Sequence, residues 1–350
     1  MSDHAAFAAS PTRISGAGNT VISSPVTYQK RDIPKTMQMN KLGRSGLTVS
    51  KMCFGTLTMS PLQRNMTPRD GAKLLVHAYE RGLRFLDTAD LYGTYPHIKL
   101  ALKDAPDYVI STKAYVWDRP TAQAALERAF TGVGRDYIDL FMLHEQESLY
   151  TLRGHEEALQ YLAEQKEKGH IGAVGVSTHF VACVRAAPRF PMIDVIHPLI
   201  NAGGIGIQDG SREDMEGAIE AARQRGIGIF AMKPLGGGHL IGTSRAALEY
   251  ALSSPLLDSI AIGMQSVEEI DADVAMFEGD TTAFERLERL RHRERRVMVH
   301  DWCEGCGKCA ERCRQNAIQI VDGHARVDSE KCVFCGYCAR ACPQFCIKVV

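Results

Sequence analysis

Eight of the chain's 11 cysteines lie between Cys303 and Cys342. They run as C-x2-C-x2-C-x3-C at Cys303, Cys306, Cys309 and Cys313, and the spacing repeats at Cys332, Cys335, Cys338 and Cys342. Three thiolates this close in sequence can share one tight loop and hold three irons of a cubane, with a fourth from a distant point closing it. Zinc also takes C-x-x-C pairs, but its sites use two separated pairs rather than three cysteines at successive two-residue gaps. The spacing therefore predicts two 4Fe–4S clusters and one-electron chemistry.

The repeat, with Pro343 after its last cysteine, resembles the bacterial-type ferredoxin module. In two-cluster ferredoxins the fourth cysteine of each run serves the other cluster. The resemblance thus implies one cluster on Cys303, Cys306, Cys309 and Cys342, and a second on Cys332, Cys335, Cys338 and Cys313. Arg314 stands where the first run would more often carry proline. Cys346 is expected near the first cluster without ligating it, while Cys53 and Cys183 sit in apolar stretches and read as core.

At 350 residues and 45% apolar, the chain can bury one large core beside a small module. Its 41 basic and 41 acidic residues balance, which argues against nucleic acid or a membrane surface as partner. No apolar run approaches a membrane span. Free thiols without a disulfide framework point to a reducing cytoplasm. Residues 1–35, rich in Ala, Ser, Thr and Pro and lacking a long apolar stretch, read as a disordered leader.

Strands and helices must position any further chemistry. Short continuous apolar runs occur at 50–55, 85–89, 108–113, 138–144, 171–177, 195–200, 227–233 and 259–264. Continuous rather than alternating, they suit strands covered on both faces. Between them lie amphipathic stretches. One opens on Thr67-Pro68-Arg69-Asp70 and buries Leu74, Leu75, Ala78 and Tyr79; another carries Met215, Ala218, Ile219 and Ala222 on one face. Eight such units predict a (β/α)8 TIM barrel over 36–280, close to the usual length of about 250 residues. A doubly wound sheet is the alternative, but no GxGxxG follows the first strand. A charged linking helix is expected over 281–299, and a small C-terminal α+β ferredoxin-like domain over 300–350. Arg289, Arg291, Arg293, Arg295 and Arg296 on the linker would face either solvent or an acidic redox partner.

Catalytic groups of such barrels stand where strands end. Asp87, Tyr92, Lys113 and His144 fall there. Phe85-Leu86-Asp87-Thr88-Ala89-Asp90-Leu91-Tyr92-Gly93 resembles the DTA-x2-YG signature of aldo-keto reductases, and Lys113 and His144 match the rest of that family's tetrad. Residues 41–50 resemble its opening hairpin. The resemblance covers about 37–280 and extends to an iron–sulfur branch of the family. It implies that Tyr92 is the acid–base group, Lys113 draws its pKa down, Asp87 holds Lys113, and His144 orients a carbonyl oxygen. Such chemistry needs tuning, because a tyrosine has an ordinary pKa of about 10.

The same resemblance implies a nicotinamide site. Gly55, Thr56, Ser177, Thr178, Met232 and Lys233 would line it, and His197 would stand in place of a carboxamide-binding glutamine. At the positions serving the 2′-phosphate and adenine stand Gly263, Glu269 and Asp273. Carboxylates repel a phosphate dianion, so the NAD(P)H expected here is not NADPH by preference. Each cluster passes one electron whereas a hydride carries two, a mismatch that flavins bridge. No flavin motif is visible, although a barrel can hold FMN through scattered loop groups. The expectation is an oxidoreductase for a small carbonyl or alcohol, with clusters as relay. The alternative is an electron-transfer component whose barrel is a docking scaffold for a flavoprotein.

Overall fold

The computed structural model describes residues 37–240, 243–293, 296–332 and 337–349. The expected leader, Arg295 and Cys335 lie outside them. A hairpin comes first, with β1 (Met39–Lys41) antiparallel to β2 (Thr48–Ser50). Eight parallel strands then close a barrel, with the last paired back to the first. They are β3 (Met52–Gly55), β4 (Phe85–Asp87), β5 (Val109–Ala114), β6 (Ile138–Leu143), β7 (Ile171–Thr178), β8 (Val195–Pro198), β9 (Gly228–Ala231) and β10 (Ser259–Ile262). All eight expected strands are present, several shorter by a residue or more at their ends.

Helices wrap the barrel: α1 (Pro68–Glu80), α2 (Tyr95–Ala101), α3 (Arg119–Val133), α4 (Leu149–Gly154), α5 (Glu156–Glu167), α6 (Val181–Ala186), α7 (Arg212–Gln224), α8 (Ser244–Ser253) and α9 (Val267–Phe277). In α1, Thr67 Oγ1 accepts from Asp70 N at 3.2 Å, Pro68 fills the first turn, and Leu74, Leu75 and Ala78 are buried. Ser211 caps α7 in the same way, and Met215, Ala218, Ile219 and Ala222 turn inward. None of the described helices is long and apolar enough to cross a membrane.

The core has two shells. One fills the space between strands and helices and includes Cys183; the other fills the barrel's inside around Cys53, Phe85, Leu140 and Phe230. Leu42, from the hairpin, is fully buried in that inner shell and plugs one end. Arg44 N donates to Gly226 O at 2.7 Å beside it. Gly43 has a φ of +51°, and a Cβ there would lie 2.2 Å from Gly228 N, so only glycine lets the plug seat. With the N-terminal end stoppered, chemistry is left to the other.

Three aspartates pin strand ends. Asp139 Oδ2 accepts from Ile110 N at 2.9 Å, Asp194 Oδ2 from Val174 N at 3.0 Å and Asp258 Oδ2 from Ile229 N at 2.9 Å. Each takes a backbone N–H of a strand, a donor that is costly to bury unpaired.

The expected linking helix is corrected. α10 (Ala283–Arg293) is shorter, and its Ala283, Phe284 and Leu287 are buried in the barrel's outer core. Residues of the expected helix's end instead form β11 (Val297–Val299), which pairs with the chain's last strand, β14 (Ile347–Val349). A Val-Met-Val run is poor helix and good strand, and a partner strand was invisible locally. The rest of the tail holds α11 (Lys308–Arg312), a hairpin of β12 (Ile318–Val321) and β13 (His324–Val327), and α12 (Tyr337–Ala341). Asp322 and Gly323 turn the hairpin with φ of 51° and 72°, as an Asp-Gly two-residue turn requires.

Candidate active site

Three strand ends, those of β4, β5 and β6, bring the expected tetrad together. Lys113 Nζ, on β5, donates to Asp87 Oδ1 at 2.7 Å, Asp87 Oδ2 at 2.8 Å and Thr88 O at 2.8 Å. Its three protons are thereby used, and the side chain is 1% exposed, so this is a buried, fully bonded ion pair. Burial pushes the Asp87 carboxyl up, and the Lys113 ammonium pulls against that. The ammonium also lies 4.9 Å from the centre of the Tyr92 ring. Tyr92 and His144 meet edge to face, with ring centres 6.0 Å apart.

The structure differs from the expected tuning of Tyr92. Burial, then Asp87 and Glu145, push the phenol well above its ordinary value. Lys113 spends its charge on Asp87, so the pair is close to neutral toward Tyr92. The phenol keeps its proton at neutral pH, which suits a donor. Burial, then the cations around it, hold His144 well below the ordinary histidine value, so the ring is neutral. Its Nδ1 is buried without a hydrogen-bond partner. Tyr115 stacks on that ring at 4.5 Å and donates through its hydroxyl to Glu145 Oε2 at 2.5 Å. Sequence reasoning missed Tyr115, which has no motif and follows β5 by one residue.

Most expected nucleotide positions are engaged within the protein. The hydroxyls of Thr56 and Thr94 are 2.9 Å apart, Ser177 Oγ accepts from Glu145 N at 2.9 Å, and Thr178 Oγ1 accepts from Phe180 N at 2.9 Å. Glu269 Oε2 accepts from Gln265 N at 2.8 Å. Gly263 is exposed, and Gly55 and Met232 are half-buried. Two positions depart from expectation. His197 is 1% exposed, stacks on Phe230 at 3.8 Å, bonds Phe230 O through Nδ1 at 2.6 Å and has Nε2 3.8 Å from Asp87 Oδ2. Asp273 is fully buried. The β8 end points its imidazole into the barrel, and α9 turns Asp273 into the core; neither offers a polar atom to an open channel.

Lys233, half-buried, follows β9 by two residues. Its Nζ is 2.9 Å from His179 Nε2. The tail reaches the same corner: Phe345 stacks on His239 at 5.2 Å, and Lys348, on β14, projects beside the Gly236–Gly238 turn.

The tail's cysteines gather in one small core where they are described, and no three of the described residues stand in metal-holding geometry. Cys309, Cys338, Cys342 and Cys346 are buried together, with Cys303 and Cys313 packed against them. Cys342 Sγ lies 3.2 Å from Cys346 Sγ, so Cys346 does neighbour the first set. Burial raises the Cys309 thiol, and the charges of Cys303 and Cys342 add to it, as expected of three members of one set. Ala317 N donates to Cys313 Sγ at 3.3 Å, the kind of bond that tunes cluster sulfur.

Comparison with known proteins matches residues 51–246 to the Aldo/keto reductase family and residues 296–343 to the 4Fe-4S dicluster domain. "Probable aldo-keto reductase 1" of Glycine max is 30% identical over 227 residues, 59% of this chain. The chain spans 62% of the length of that curated relative. Among solved structures, PA4992 from Pseudomonas aeruginosa superposes with a TM-score of 0.60 at 23% identity, covering 73% of this chain and 97% of that one. The holo form of aldo-keto reductase AKR11C1 from Bacillus halodurans gives 0.59 at 19%, over 73% and 96%. These two likenesses speak to the fold. The family match spans more than half of the sequence, the tail matches a dicluster domain, and the chain belongs to the aldo/keto reductase family.

Proposed function

We propose that this protein is an oxidoreductase that reduces a carbonyl group, or oxidises the corresponding alcohol, with electrons relayed through its tail. The observation that carries the reading is the buried Lys113–Asp87 pair set beneath Tyr92 and His144 at three strand ends. The carbonyl oxygen would sit between Tyr92 and His144. As negative charge gathers there, the protonated Tyr92 hydroxyl gives up its proton and the neutral imidazole steadies the oxygen with a hydrogen bond. The Lys113–Asp87 pair keeps the floor rigid and electrically balanced. Asp87 stays ionised because two short bonds to the ammonium answer its charge.

Cys303, Cys306, Cys309 and Cys342 would hold one 4Fe–4S cluster, and Cys332, Cys335, Cys338 and Cys313 the other; loaded, each supplies one-electron transfer. Reduction of a carbonyl takes two electrons and two protons; the clusters would supply the electrons one at a time, Tyr92 the proton on oxygen and water the proton on carbon. The sealed His197 and Asp273 do not suit a dinucleotide held as the family pattern implies.

Tyr92→Phe tests the reading on anaerobically purified, cluster-loaded protein. Carbonyl reduction driven by a low-potential viologen, or by NADH, is expected to fall by about 10²–10⁴-fold, the range for loss of a general acid. Iron content and visible spectrum should stay as in the parent. Unchanged turnover would remove Tyr92 from the chemistry.

A further inference from the structure

The tail offers the first expected cluster one thiol more than it needs. That cluster is assigned to Cys303, Cys306, Cys309 and Cys342, yet Cys346 Sγ lies 3.2 Å from Cys342 Sγ. Cys346 is 1% exposed and Cys342 7%, and both belong to the same small core as Cys309. A buried free cysteine is ordinarily a small apolar filler. Here the backbone is bent to bring it to an expected ligand.

Cys342, Pro343, Gln344 and Phe345 form a tight turn, closed by Phe345 N donating to Cys342 O at 3.3 Å. Phe345 holds a φ of 54°, a left-handed conformation unfavourable for a residue with a side chain. Its ring stacks on His239 of the barrel with centres 5.2 Å apart, which fixes the turn in that shape. The chain folds back, and the sulfurs of residues 342 and 346 come side by side.

The turn is tied to the first cysteine run. Trp302 Nε1 donates to Gln344 O at 3.2 Å, and Gln344 Nε2 donates to Glu304 Oε2 at 2.6 Å. Gln344 Oε1 lies 3.8 Å from Cys306 Sγ. Cys346 is moored to the same loop through its backbone. Its carbonyl accepts from His300 N at 2.8 Å, and His300 O accepts from Cys303 N at 3.1 Å. A 4Fe–4S cluster takes four cysteine thiolates. With Cys303, Cys306 and Cys309 on three irons, one iron is left for two neighbouring sulfurs.

We propose that Cys346 is an alternative fourth ligand of the first cluster, able to take the iron that Cys342 otherwise holds. The inference rests on the two-cluster reading of the tail. The exchange breaks one iron–sulfur bond and forms another. The proton of the Cys346 thiol passes to Cys342 as the iron passes the other way, so charge and electrons balance. The first cluster can thus change its fourth holder and keep its iron.

The test counts iron and acid-labile sulfide in anaerobically purified full-length protein, for the parent, C346A, C342A and C342A/C346A. The parent and C346A should each hold about eight irons, because Cys342 suffices. C342A should also keep about eight, and the double variant should fall to about seven or fewer. C342S, which nearly keeps the side chain's size, decides if C342A does not fold. Iron at about seven or fewer in C342A would overturn the exchange, as would a double variant that keeps about eight. A parent that carries zinc or no metal would overturn the two-cluster reading and the exchange together. A fully loaded parent beside a depleted C342A overturns the exchange alone.

Discussion

The barrel and the tail are held together by different physics. The barrel's inner and outer shells are continuous apolar packing, from Leu42 at the plug to Phe284 on α10, and its ion pair at Asp87 and Lys113 is an island within that packing. Among the described residues the tail's core has nine buried members, of which Cys309, Cys338, Cys342 and Cys346 make up four. A module of that size buries too little apolar surface to be stable alone, and metal binding then becomes folding energy. One region builds a rigid floor for chemistry without any cofactor. The other gains its shape from the cofactor and lends the mouth one lysine.

The sharpest way to break that contrast is to remove the iron. Chelation under anaerobic conditions should abolish amide-exchange protection throughout β11 to β14 while β3 to β10 keep theirs; a tail that stays protected would show that packing suffices. Next comes the island of charge. Lys113→Met leaves Asp87 buried without a partner and should cost about 3–5 kcal/mol of barrel stability, read from denaturant midpoints. A near-neutral result would mean that Asp87 simply takes up a proton. Acid is expected to weaken the barrel through its buried histidines. His144 and His197 are held well below the ordinary value and His179 at about 2, burial being the first cause in each. Below pH 6.5 the unfolded chain binds protons that the folded one refuses, so stability falls as pH falls. Between pH 6.5 and 5.5 the loss is about 1 kcal/mol for each histidine. Flat barrel stability over that interval would place these rings in contact with water. The smallest effect is expected at Lys73→Ala, whose pair with Asp70 is exposed and should move stability by less than about 1 kcal/mol.

Much of this was legible in the chain. Strand runs covered on both faces carry an unusual continuous apolar signature, and the cap at Thr67 is a local hydrogen-bond motif, so barrel and helices could be read directly. Asp87, Tyr92, Lys113 and His144 were legible because strand ends of a barrel converge on one face. The fate of Val297–Val299 was not, since pairing with β14 is a contact across some fifty residues. Nor was the upward push on Tyr92. It comes first from burial of the phenol and then from Asp87 and Glu145, neighbours that only folding supplies.

Sequence alone settled which atoms could do chemistry: cysteine spacing set the cluster pattern, and the order of strands set which side chains share a rim. Tertiary structure decided where charges are cancelled and where they are left standing. His197 and Asp273 turned inward, Lys113 was neutralised, and Lys348 came to lie beside the Gly237 turn. Spacing along a chain constrains local geometry, whereas electrostatic balance is a sum over neighbours that only folding brings together.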